Sequence, residues 1–244
     1  VKDKIINHIR YTKWLNEDIA FSDIGKFIYL KPSRTAGTSI FRGVLEKNED
    51  LQVKLLRDNN PYRDLFNPNA FHKARIHSFE MMQKDSSFNK VPEWIDNLTD
   101  DDIKHNYFVF TFVRNPFEKI VSCYRYLGEL VGATSFENFL EDKLLDNDGY
   151  FTNGHWLPYH YYVECDGEIF TDFIGRFENL HHDWDFIQDK LSLSNPWNRV
   201  ILPHLGETEW AQGNYSYRDY YTDYTIDIVS DIYHRDLELF GYSF

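Results

Sequence analysis

Apolar residues recur along the chain at two spacings, and the change from one to the other marks the elements. Ile5, Ile9, Trp14 and Leu15 fall at near-helical intervals, which predicts an amphipathic helix over Lys4–Ile19. Phe27-Ile28-Tyr29-Leu30 is a short apolar run of strand formers, followed by the loop-like Lys31-Pro32-Ser33-Arg34-Thr35-Ala36-Gly37. After Thr38 and Ser39, the residues Ile40, Phe41, Val44 and Leu45 suit one helix face. The order is strand, loop, helix. Tyr107–Val113 begins the same order again: its unbroken run of β-branched and aromatic residues predicts a strand covered on both faces, as in a parallel sheet. Arg114-Asn115 ends the run, Pro116 suits the first turn of a helix, and Ile120, Val121, Tyr124 and Leu127 mark that helix's buried side.

The remaining segments are read the same way. The polar stretch 48–69 reads as short helix and loop, Ala74–His77 as a short strand, and Phe79, Met81 and Met82 as a helix start. Helices are predicted over Phe136–Leu145, Asn179–Leu191 and Tyr224–Leu239, and a strand over Phe170–Phe177 after a turn at Asp166-Gly167. His155–Val163 is aromatic without a clear period. With no fixed repeat and no linker, the alternation predicts one α/β domain over residues 1–244, a mainly parallel sheet flanked by helices.

Charge narrows the function classes. The chain carries 26 Lys and Arg against 39 Asp and Glu, a formal net charge of −13, which argues against tracking a nucleic-acid backbone. Charged residues interrupt every apolar run, so no membrane span is predicted. Cys123 and Cys165 alone make neither a disulfide framework nor a metal site, and a cytoplasmic location is the default expectation. The chain opens on Val1, which leaves a removed upstream targeting segment open, and oligomeric state is equally open. Residues 1–125 hold 20 basic and 17 acidic residues, whereas 126–244 hold 6 and 22. An anionic ligand is therefore expected in the first half, and the scarce Arg176 and Arg218 stand out in the second.

Two strand-to-helix junctions carry candidate chemistry. In an open parallel sheet, ligands bind beyond the carboxyl ends of the strands. At Lys31–Ser39, Lys31 and Arg34 supply charge, Thr38 and Ser39 hydroxyls, and Gly37 room for close approach, a set that suits a phosphate or sulfate. An ordinary helix cap by Thr38 or Ser39 is the alternative. The loop is not a Walker A motif, because Thr38 and not Lys follows Gly37. At the second junction Arg114 leaves the strong strand on the same sheet edge, and Ser122 on the following helix adds a hydroxyl. Pairing of Arg114 with a carboxylate is the alternative there. Two such grips fit a ligand with phosphate groups at both ends.

Arg34-Thr35-Ala36-Gly37-Thr38-Ser39 resembles the 5′-phosphosulfate loop of sulfotransferases that use PAPS (3′-phosphoadenosine 5′-phosphosulfate). The stretch from Val113 to Tyr124 is similar to their 3′-phosphate motif, in which an Arg and a Ser eight positions later hold that phosphate. Asp172–Leu180 and Asp236–Phe244 look like later segments of the carbohydrate-type branch. The resemblance implies a P-loop-like fold, PAPS as donor, PAP as product and an acceptor hydroxyl on a glycan or a small-molecule alcohol. It implies donor binding by Arg34, Thr35, Ala36, Gly37, Thr38, Ser39, Arg114 and Ser122. Arg176 and Arg218 are further candidates, with a structural ion pair the alternative for each.

Much of that branch has Lys where this chain has Arg34, and an arginine does not give up its proton. The role left to Arg34, shared with Lys31, is electrostatic stabilisation. No bridging metal is expected if these cations and the backbone N–H groups neutralise the donor. The acceptor hydroxyl needs a base, and His77, between the two anion loops, is the first candidate. Glu80 would orient or replace it, and His72, His155 and His160 are reserves. An ATP- and Mg²⁺-dependent kinase and a catalytically silent binding module are the rival readings.

Overall fold

Phe27–Lys31 and Phe108–Val113 form the centre of a five-stranded sheet, and their alternation explains why it is buried on both sides. The computed structural model describes residues 4–6, 8–9, 18–56, 98–128, 132–145, 155–191, 200–203 and 216–244. The strand expected at Ala74–His77, the helix start after it, and His72, His77 and Glu80 lie outside them. The strands are β1 (Asp18–Ser22), β2 (Phe27–Lys31), β3 (Lys54–Leu56), β4 (Phe108–Val113), β5 (Glu164–Cys165), β6 (Glu168–Ile169) and β7 (Phe173–Arg176). The main sheet runs β3-β1-β2-β4-β7, and β5 and β6 form a separate hairpin. β2, β4 and β7 are mutually parallel, and β1 and β3 extend the edge antiparallel.

Period-two alternation assigns the faces. Phe27, Tyr29, Phe110 and Phe112 join one core with Ile40, Phe41 and Trp184, while Ile28, Leu30 and Val109 join the other with Ile5, Ile6, Ile9 and Ile103. Tyr29 and Phe110, partners in register, stack at 4.8 Å. Gly175 in β7 lies against Phe112, whose ring carbon would sit 2.4 Å from an added Cβ, so any side chain there would force the strands apart.

The helices are α1 (Gly37–Ile40, continued by a π turn over Phe41–Leu45), α2 (Asp100–Asn106), α3 (Pro116–Leu127) and α4 (Phe136–Leu140). They continue as α5 (His160–Val163), α6 (Leu180–Lys190), α7 (Asp223–Ile232) and α8 (His234–Phe240). Phe117, Ile120 and Val121 of α3 bury against Phe139 of α4 and Ile228 and Val229 of α7. Among the described residues no helix is long and apolar enough to cross a membrane.

Three expectations on elements change. The helix predicted through Ile19 ends earlier, because Asp18–Ser22 is β1, with Ile19 and Phe21 in one core and Ala20 in the other. The helix predicted over Tyr224–Leu239 is two, broken at Tyr233, which is fully buried and donates its hydroxyl proton to Trp156 O. The stretch 48–69 contains a short strand, β3, beside its 3₁₀ turn at Glu49–Leu51.

Candidate functional site

Parallel pairing puts the two junctions on one edge. Leu30 is in register with Thr111 and Val113 with Arg176, so Lys31, Arg114 and Arg176 all stand at the carboxyl ends of neighbouring strands. The loop after β2 is held by its own hydrogen bonding: Thr35, fully buried, donates from Oγ1 to Pro32 O at 2.8 Å. Arg34 and Ala36 both adopt left-handed backbone, with φ of 67° and 59°. Ala36 is the N-cap of α1 and no side chain caps that helix, so the alternative of an ordinary cap by Thr38 or Ser39 is not what forms. Thr38 is exposed and Ser39 buried. Gly37 is needed for a different neighbour than expected: an added Cβ would meet Cγ of Lys31 at 2.5 Å, so the Lys31 stem occupies the space a side chain would fill.

The second junction starts α3 cleanly. Asn115 caps it by accepting from Phe117 N at 3.0 Å, and Pro116 supplies the first turn. Asn115 N donates to Glu178 Oε1 at 2.7 Å, and Asn115 Nδ2 to Ser243 O at 3.0 Å. The turn that aims Arg114 is thus fixed from β7's exit and from the C-terminus.

Residues four apart on a helix share a face, and on α3 that row is Glu118, Ser122 and Tyr126. It handles both arginines. Arg114 donates from Nε to Glu118 Oε2 at 3.1 Å, and its guanidinium lies over the Phe177 ring at 4.1 Å. Arg34 donates from Nε and Nη2 to Ser122 Oγ at 2.9 and 2.8 Å, and lies over the Tyr126 ring at 4.7 Å. The carboxylate alternative for Arg114 is therefore realised, but it engages Nε alone. Among the described residues, Nη1 and Nη2 of Arg114, Nη1 of Arg34 and the Ser122 O–H form no hydrogen bond. A row of unspent donors, three of the four on guanidinium groups, fits a polyanionic ligand.

Other predicted residues keep different company. Arg176 donates from Nη2 to Phe240 O at 2.5 Å and lies over Tyr242 at 4.8 Å. Arg218 is exposed, over the Phe244 ring at 4.7 Å. Neither is joined to Arg34, Ser122 or Arg114 by a described contact. His160 has Nδ1 2.8 Å from Asp236 Oδ1. His155 stacks on Tyr126 at 5.9 Å, with 13° between the rings.

Sequence reasoning missed the supporting groups. Asp236, fully buried, accepts from Tyr159 N and His160 N at 2.6 and 2.8 Å. Lys119, also fully buried, donates to Leu157 O and lies 3.9 Å from the Tyr159 ring centre. Tyr159 in turn donates its hydroxyl proton to Ser33 O at 3.3 Å, tying this segment to the first loop. Burial raises the Tyr159 hydroxyl well above its ordinary pKa, so it stays a donor at any physiological pH. The four-residue spacing of Arg114 to Glu118 and of Ser122 to Tyr126 was a legible signal; the Asp236 and Tyr159 contacts had none in sequence.

A strand, a loop and a hydroxyl-bearing helix occur twice along one parallel sheet edge, and the chain belongs to the sulfotransferases: the Sulfotransferase family model (Sulfotransfer_2) matches residues 50–243. The chain is 34% identical to carbohydrate sulfotransferase 14 of Mus musculus and of Homo sapiens, over 32% of this chain and 27% of each relative. It is 29% identical to carbohydrate sulfotransferase 14 of Danio rerio, over 40% of this chain and 34% of that protein. The chain thus spans about a third or less of the length of these relatives. No solved structure matches. The family match contains Arg114 and Ser122 and begins after the loop Lys31–Ser39, which joins the site through the Arg34–Ser122 contact.

Proposed function

We propose that this chain moves a sulfuryl group from PAPS to a hydroxyl of a glycan, releasing PAP. The observation that carries the reading is the pair of hydrogen bonds from Arg34 to Ser122 Oγ, which joins the loop of the first junction to the helix of the second. PAPS, when bound, supplies the activated sulfuryl group. Arg114, through its two free terminal nitrogens, and Ser122, through its O–H, would hold the 3′-phosphate. Arg34, Lys31 and the backbone of Thr35–Ser39 would hold the 5′ end and stabilise the charge that builds there in the transition state. Family membership favours this reading over an ATP-dependent kinase, and the names of the relatives favour a carbohydrate acceptor.

His77 is the proposed base for the acceptor proton, with Glu80 to orient or replace it, on sequence position alone. His77→Ala should leave PAP affinity intact, since a base touches the acceptor, while turnover falls on the order of 10²–10⁴-fold. The reading as a whole is tested by calorimetry with PAP and with ATP, with and without Mg²⁺, followed by labelled-sulfate transfer to glycans and small alcohols. Metal-independent PAP binding with transfer to a glycan is expected. Mg²⁺-dependent ATP binding without PAP binding would overturn it, and PAP binding without any transfer would leave a silent nucleotide-binding module.

A further inference from the structure

The α3 row ends on Tyr126, just past the Val113–Tyr124 motif. Tyr126 is 49% exposed, yet its ring is engaged by two neighbours, the Arg34 guanidinium at 4.7 Å and the His155 ring at 5.9 Å. His155 is itself tethered, because Cys123 Sγ donates to its carbonyl at 3.1 Å. Ser122 and Tyr126 are one helical turn apart, so a single helix face offers Arg34 a hydroxyl oxygen and an aromatic ring together. That combination suits a guanidinium, whose two adjacent N–H groups reach one oxygen while its body lies over a ring. An ammonium on a lysine stem has no planar body to lay on the ring and no pair of adjacent nitrogens to share one oxygen.

We propose that Tyr126 is a positioning residue for Arg34: its ring, stacked on His155, seats the guanidinium so that Nε and Nη2 stay on Ser122 and Nη1 is left for the donor's anionic end. Arg34 otherwise has a soft tether. It sits in a loop with left-handed backbone at its own position, and one serine oxygen accepts both of its bonds. Without the ring the guanidinium is free to swing about that single point. The seat thus sets where the positive charge stands relative to Ser122, and the proposal rests on the donor reading given above.

The test is a double-mutant cycle read by PAP calorimetry, with Tyr126→Phe, Tyr126→Ala, Arg34→Lys and the Tyr126→Ala/Arg34→Lys double variant. Tyr126→Phe keeps the ring and should match the wild type. Tyr126→Ala should weaken PAP binding about two- to fivefold, the usual worth of an exposed cation–π contact. In the Arg34→Lys background the same change should do nothing further. An equal loss in both backgrounds, or none in either, overturns the proposal. The Arg34 Nε–H resonance of the free protein, assigned by its absence in Arg34→Lys, separates this from the donor reading. An upfield ring-current shift is expected in wild type and Tyr126→Phe but not in Tyr126→Ala. That shift without PAP affinity removes the donor reading and keeps the seat; its absence in the wild type removes the seat.

Discussion

Of the five arginines that lie over aromatic rings among the described residues, four divide into two regions by what else they touch. At the sheet edge, Arg34 over Tyr126 and Arg114 over Phe177 hydrogen-bond to a partly exposed hydroxyl and a partly exposed carboxylate, each on α3. At the C-terminal end, Arg176 over Tyr242 bonds to a backbone carbonyl, and Arg218 over Phe244 is exposed. The contact with a ring is common to both regions and so cannot mark function. The difference lies in the hydrogen-bond partner. Arg176 ties down the carbonyl of Phe240, at the end of α8, whereas Arg114 keeps two terminal nitrogens unspent among the described residues, beside a helix face whose Ser122 hydroxyl accepts from Arg34 but leaves its own proton ungiven. One region ties chain segments to each other, and the other keeps N–H donors unspent at the sheet edge.

The largest expected effect belongs to the C-terminal region. Asp236→Ala leaves the buried N–H groups of Tyr159 and His160 without acceptors, and should lower unfolding stability by about 2–5 kcal/mol in urea titrations. A loss below ~1 kcal/mol would mean that Asp236 does not hold this segment. Next comes Arg114→Ala, which should weaken PAP binding roughly 10- to 100-fold, the value of a charge-assisted bond of about 1.5–3 kcal/mol, with little change in melting temperature. Unchanged affinity in the folded variant removes Arg114 from the donor site. Smallest is Arg176→Met, where the loss of the bond to Phe240 O should lower stability by about 0.5–1.5 kcal/mol while PAP affinity stays within about twofold. An affinity loss rivalling that of Arg114→Ala would erase the distinction between the regions and return Arg176 to the ligand.

The sequence alone determined the parts of the molecule that rest on local pattern. Tyr107–Val113 reads as a doubly covered strand because every position is apolar or β-branched, and it is β4, buried from Val109 to Val113. Asn115-Pro116 announces the start of α3 because a cap and a first-turn proline are local chemistry. The two strand-to-helix junctions are legible for the same reason: each is a few contiguous residues at a strand end.

Only the tertiary structure decided how those pieces meet. That Arg34 rests on Ser122, 88 residues away, follows from the parallel pairing of β2 with β4, which brings the two junctions side by side. The helical spacing carries the predicted helix through Ile19 because Ile19 and Phe21 alternate over too few residues to outweigh it; pairing with β2 and β3 makes Asp18–Ser22 a strand. Sequence likewise offered Arg176 and Arg218 as ligands on scarcity of charge, a property blind to direction. Their orientation was set by Phe240, Tyr242 and Phe244, which fold back on β7 and α3 only once the sheet exists. A motif names the groups able to bind an anion, but which of them keep a free N–H depends on neighbours the fold supplies.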